Sequence, residues 1–170
     1  MLSSLGAGVI SGIVASLCFS VFLLLIKPKV RISNEICREK ETATSVVYRI
    51  KIVNHTYAIL TNLKYTLHYC KMRGDGINEI IEIKPRKTPL ISIDKNNLKK
   101  NNTDYAVRIS YDIDLTECPL DDNCKLIFTF IADHSWSNTT KCIRKEYRQS
   151  EIIDGVFESD KSVKIIRSNY

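Results

Sequence analysis

The chain has 170 residues, a formal net charge of +6 and a mean hydropathy of −0.11. Beyond an apolar N-terminal stretch, roughly 140 residues remain, which is the size of one domain. A domain of that size builds its core without needing disulfides or a metal, which excludes a stapled mini-scaffold.

The stretch Leu5–Ile26, LGAGVISGIVASLCFSVFLLLI, carries no charged residue. At about 1.5 Å per residue it reaches about 33 Å, the thickness of a hydrocarbon core, and it predicts one transmembrane helix. The division expected is an anchor over residues 1–27 and a soluble domain over 28–170. No Lys or Arg precedes the apolar run and no small-residue cleavage site follows it, which favours an anchor over a cleaved signal. Small residues recur at Ser4, Gly8, Gly12, Ser16 and Ser20, a stripe that lets two helix backbones approach and predicts self-association. Lys27, Lys29 and Arg31 follow the stretch, so the positive-inside rule predicts a single-pass protein of the inner or plasma membrane. Its C-terminal domain is then expected in the cytoplasm. All of the positive excess lies at or beyond Lys27, suiting either anionic headgroups and ligands or a solvated Lys-rich surface. Outside the stretch, Cys37, Cys70, Cys118, Cys124 and Cys142 form an odd set, unlike a secreted disulfide framework. Asn54, Asn101 and Asn138 each begin an N-x-Thr glycosylation pattern, which means nothing for a domain held inside.

After Pro28 the periodicity changes to two. VRISNEI (Val30–Ile36) alternates weakly. SVVYRIKIVN (Ser45–Asn54) places Val46, Tyr48, Ile50 and Ile52 on one face, the predicted core face, against Val47, Arg49, Lys51 and Val53. LKYTLHYCKM (Leu63–Met72) alternates Leu63, Tyr65, Leu67 and Tyr69 against polar partners and ends at a Gly-containing turn. NEIIEIK (Asn78–Lys84) and PLISID (Pro89–Asp94) are shorter strands. An Asn/Lys-rich loop (Lys95–Asp104) leads into YAVRISYDI (Tyr105–Ile113). KLIFTFIA (Lys125–Ala132), nearly continuously apolar, predicts a central strand. HSWSNTT is a turn, and KCIRKEYRQ (Lys141–Gln149), IIDGVFE (Ile152–Glu158) and SVKII (Ser162–Ile166) finish the domain. Many short strands and no sustained helical period predict an antiparallel β-sandwich of immunoglobulin-like type, with a closed β-barrel as the alternative.

The order of features, carried locally by YRIKIVN (Tyr48–Asn54) and by FTFIADHSWS, KEY and EIIDGVF toward the end, resembles small bacterial membrane proteins. In these a single N-terminal span precedes a C-terminal β-sandwich domain. The resemblance implies that architecture and carries over no site residue.

Chemistry-bearing patterns are sparse. Cys118 and Cys124 are spaced too widely for a structural zinc pair and would need Cys142 and His134 to converge with them. Asp112, Asp114, Glu117, Asp121 and Asp122 lack EF-hand spacing. Asp133-His134-Ser135 puts three catalytic residue types side by side, where neighbours on an extended chain point apart. No GxSxG, HExxH or phosphate loop is present, so no catalytic, cofactor or metal site is expected and the chain is read as a non-enzyme. Basic groups cluster at Lys84, Arg86 and Lys87, at Lys99 and Lys100, and at Lys141, Arg144, Lys145 and Arg148. Of these, Arg144, Lys145 and Arg148, with Lys27, Lys29 and Arg31, are the expected anion or headgroup contacts.

The expected function is a membrane-anchored binding module that engages a protein partner or a small anionic ligand. Its expected associations are the lipid bilayer and other copies of itself through the helix, with no nucleic-acid polymer. Two alternatives stand beside this: an effector of antiviral type that disrupts membranes on clustering its helices, and an exported surface domain.

Overall fold

The computed structural model describes residues 2–25, 28–42, 45–72, 78–87, 90–95, 105–113, 118–119, 121, 123–159 and 161–167. Among the described residues one α-helix, α1 (Leu2–Leu25), precedes ten strands: β1 (Val30–Ile32), β2 (Ile36–Lys40), β3 (Val46–Asn54), β4 (Leu60–Met72), β5 (Asn78–Ile83), β6 (Ala106–Tyr111), β7 (Cys124–His134), β8 (Thr140–Tyr147), β9 (Ile152–Phe157) and β10 (Ile165–Arg167).

The N-terminal stretch is helical as its composition dictates, yet among the described residues no helix is long and apolar enough to cross a membrane. This overturns the expected transmembrane span. The single-pass topology and the orientation drawn from Lys27, Lys29 and Arg31 lose their premise with it. Along α1 the large apolar side chains are interrupted by small and hydroxyl-bearing ones. Gly8, Ser11, Gly12, Ser16 and Ser20 also dilute its apolar surface. Ile26 and Lys27 lie outside the described residues.

The strands form two sheets. In the first, β3 is flanked on one side by β6 and on the other by β1 and β2 in succession, with β9 and β10 beyond β2. The second runs β5-β4-β7-β8. Both send side chains into one core: Ile36, Tyr48, Ile50 and Ile52 from the first, Leu67, Tyr69, Leu126, Phe128 and Phe130 from the second. The expected all-antiparallel immunoglobulin-like sandwich is corrected, because β2 and β9 pair in parallel through Ile36–Arg38 and Ile152–Asp154. The closed-barrel alternative also falls, since each sheet ends on open edges. PLISID makes only an isolated bridge, between Leu60 and Ile93, and of SVKII only Ile165 and Ile166 enter a strand.

β3 shows why alternation read alone fell short. Tyr48, Ile50 and Ile52 face the core as predicted, but Val46 is 38% exposed at the strand's start. The opposite face, expected in solvent, is buried at Val47, Lys51 and Val53. Val163 of the C-terminal segment and Tyr105, just ahead of β6, pack on Val53. Lys51 Nζ donates to the carbonyls of Glu158 (2.7 Å) and Ser162 (2.6 Å), and Arg108 Nη2 donates to Phe157 O (3.2 Å). A buried ammonium tolerates such a place because carbonyl acceptors replace its water.

A candidate interaction surface

One end of the β domain gathers turns from distant parts of the chain. Asn54, fully buried at the end of β3, builds the first. Its amide Nδ2 donates to Ala58 O (2.9 Å) and Asp94 O (3.0 Å), and its Oδ1 accepts from the Thr56 backbone N–H (2.9 Å). Asn is suited to this because its side chain imitates a peptide group and satisfies turn backbone from within. Tyr57 stands at the tip of this turn, 64% exposed, followed by the partly exposed Ile59. The same bonds engage the Asn54 amide fully in the interior, so the glycosylation pattern there is occluded in the folded chain.

The second turn joins β7 to β8. His134, buried, pairs with Leu60 across the sheet. Its Nδ1 accepts from the Ser137 backbone N–H (3.2 Å) and lies 2.9 Å from Ser137 Oγ, which in turn is 2.8 Å from Thr139 Oγ1. Nδ1 therefore acts as an acceptor, which places the neutral ring's proton on Nε2. Burial pushes the imidazole pKa below its ordinary value. Asn138 takes a left-handed conformation (φ 49°), which Asn tolerates better than most residues. Trp136 projects from this turn, 68% exposed, with its ring edge-on to His134 at 6.3 Å.

The turns are coupled by backbone. Ser135 N–H donates to Ile59 O (3.1 Å), Leu60 and Ile93 exchange two bonds of 3.0 Å, and His55 N–H donates to Lys29 O (2.8 Å). Near Ile93, Ile91 is 85% exposed. Cations rim this end. The His55 imidazole pKa is lowered, first by burial and then by Arg31 and Lys161 nearby. The arrangement is a firm scaffold presenting aromatic and aliphatic side chains within a basic rim, chemistry that suits binding.

The expected contact residues separate. Lys29 and Arg31 are exposed at this end. Lys145 is instead turned inward, its Nζ donating to Ile32 O (3.1 Å), Ser33 O (2.9 Å) and Asn34 Oδ1, and burial lowers its pKa. It thus ties β8 to the β1–β2 junction, beside a Tyr147 hydroxyl bond to Ser33 O (2.8 Å). Arg144 is exposed and pairs with Glu146 (3.2 Å), and exposed Arg148 opens the turn at Glu151. Lys27 lies outside the described residues. On α1, Gly8, Gly12, Ser16 and Ser20 are exposed, while Ser4 is helical with its side chain outside the description. Ser11 and Ser20 hydroxyls fold back onto Gly8 O (3.0 Å) and Ser16 O (2.8 Å), and a Cβ at Gly8 or Gly12 would meet nothing within 4 Å.

Among the described residues no cluster of three metal-ligating side chains occurs. Cys124 and His134 begin and end β7, about 33 Å apart at 3.3 Å per residue, too far for one ion. Asp133 does not serve His134: its carboxylate accepts from Thr140 Oγ1 (2.6 Å) and Asn62 Nδ2 (2.9 Å), bonds that hold its pKa down.

What sequence reading missed is the surface itself. It identified HSWSNTT as a turn and Asn54 as the end of a strand without bringing them together. The signal available was a Trp and a Tyr, each at the centre of a polar turn. No family model matches the chain, and no curated protein matches its sequence.

Proposed function

We propose that the β domain is a non-enzymatic interaction module whose turn end docks an acidic segment of a protein partner through apolar anchors, and that α1 gathers copies of the chain. The observation that carries the first part is the pair of exposed aromatic side chains, Tyr57 and Trp136, on turns joined by the Ser135–Ile59 hydrogen bond. Aromatic residues on rigid backbone lose little entropy on docking and dominate interface energies. Lys29, Arg31 and Lys161 around them favour carboxylates. The second part rests on α1, where Val9, Ile10, Ile13, Val14, Leu17, Phe19, Val21 and Phe22 are all more than half exposed. An apolar surface of that extent calls for a partner, and the small-residue stripe suits a second helix.

Trp136 is the only tryptophan, so its fluorescence reports the site directly. The full chain is titrated with a peptide alternating Glu with Leu and Phe, and with a Lys-substituted control. The reading requires a blue shift and protection from iodide quenching with the acidic peptide, weakened in Tyr57→Ala and in Arg31→Glu. Unchanged emission, or an equal response to the basic control, overturns it.

A further inference from the structure

The open edges of the two sheets are not alike. The outer side of β6 is met by the 85–86 segment, through the Pro85–Tyr111 bridge and an Arg86 N–H bond to Ser110 O (2.8 Å). β10 is three residues long and ends in Arg167. β8 carries the exposed cations Lys141 and Arg144. Such coverage, brevity and positive charge are the usual protections of an edge. β5 has none of them: it is six residues, NEIIEI, with no Pro, Lys or Arg. Its register with β4 is unbroken from Met72–Asn78 to Leu67–Ile83, and among the described residues β4 is its only strand partner. Alternate residues along it therefore turn their N–H and C=O groups away from the sheet. Its side chains are open on both faces, Ile80 at 61% and Ile81 at 39%, with Glu79 and Glu82 exposed beside them.

We propose that β5 is a strand-addition site that takes an extended basic segment of another polypeptide as a fifth strand of the second sheet. Main-chain bonds along the edge give affinity, and side chains opposite Glu79-Ile80-Ile81-Glu82 give specificity. Directly opposed residues on paired strands share a face, so the incoming segment sets apolar residues against Ile80 and Ile81 and cations against Glu79 and Glu82. The Glu-Ile-Ile-Glu order reads the same both ways, so one motif, basic–apolar–apolar–basic, satisfies either strand direction. A second copy of β5 is the poorer occupant, because it would bring two more carboxylates to an already acidic edge.

The test uses the full chain and a fluorescein-labelled nine-residue peptide centred on Lys-Val-Ile-Arg, followed by anisotropy. Two controls are the same peptide with Glu at both basic positions and one N-methylated on alternate amides. The proposal requires that both controls bind at least about tenfold more weakly, and that hydrogen exchange slows with the basic peptide at the outward-facing one of the adjacent Ile80 and Ile81 amides. The charge reversal Glu79→Lys with Glu82→Lys, which leaves buried residues untouched, should abolish basic-peptide binding and admit the Glu peptide. Equal binding of the N-methylated control, or indifference to the charge reversal, overturns the proposal. So does disulfide-linked dimer formation by Ile80→Cys at a rate the peptide does not slow, because the occupant is then a second copy. Trp136 emission should stay unchanged throughout, so failure here and failure at the turn end are told apart.

Discussion

The backbone N–H of Ser135 donates to the carbonyl of Ile59 at 3.1 Å, joining two turns that stand more than seventy positions apart in the chain. Tyr57 and Trp136 flank that bond in sequence, and their exposure depends on backbone held from inside by Asn54 and His134. Replacing Asn54 with Ala leaves the Ala58 and Asp94 carbonyls without their donor. The expected cost is about 2 kcal/mol in urea unfolding. Weaker response to the acidic peptide should accompany it, although Asn54 touches no ligand. A variant of unchanged stability would mean that water replaces the amide.

Acidification should weaken the fold through two imidazoles. Burial lowers the pKa of both His134 and His55 from 6.5. Over the interval between the lowered value and 6.5 the unfolded chain binds more protons than the folded one, so stability falls as pH falls. The contribution is intact above pH 6.5 and is lost on descent through the folded-state values. Denaturation midpoints measured from pH 7.5 to 5 should decline, and the decline should be shallower in His134→Asn. Carboxylates held low by their partners, such as Asp154 beside Arg38, act only at lower pH.

Lys51→Met removes the ammonium that holds the carbonyls of Glu158 and Ser162 while keeping the length of the buried stem. The expected loss is about 2–3 kcal/mol, the range for charge-assisted bonds whose acceptors stay behind. Limited proteolysis should then cut near residues 158–164 well before the rest of the domain. Cleavage spread evenly over the chain would instead mean that Lys51 supports the whole sheet.

Gly155 lies in β9 opposite Arg167 of β10, with φ of +157°. A Cβ there would stand 2.2 Å from Ile166 O and 2.8 Å from Ile165 Cγ2. Because the first obstacle is backbone, Gly155→Ala must push β10 from the sheet, at about 2–3 kcal/mol for a clash of this kind. Fast exchange of the β10 amides with the core still protected is the expected signature.

Gly8→Ile together with Gly12→Ile adds bulk where nothing lies within 4 Å of either glycine, so an isolated chain tolerates both changes. If helices associate along this stripe, sedimentation of the full chain should shift to smaller species with the β signal of circular dichroism unaltered. An unchanged oligomer distribution removes the stripe from the account.

Much of the local structure was legible because it depends on neighbours in sequence. An uncharged N-terminal run folds as a helix, and alternation marks Tyr48, Ile50 and Ile52 as core. An almost continuously apolar KLIFTFIA is the inner strand β7 between β4 and β8. What no local pattern carries is which segment comes to cover which. Lys51 and Val53 are buried because Glu158, Ser162 and Val163 return over β3 beside Tyr105. Lys145 looks like a surface cation until the β1–β2 junction supplies three oxygens for it. Tyr57 and Trp136 become one surface only when β4 and β7 pair and carry their turns to the same end. Periodicity assigns a side chain to a face of its own strand, whereas contacts across a hundred residues decide whether that face meets water.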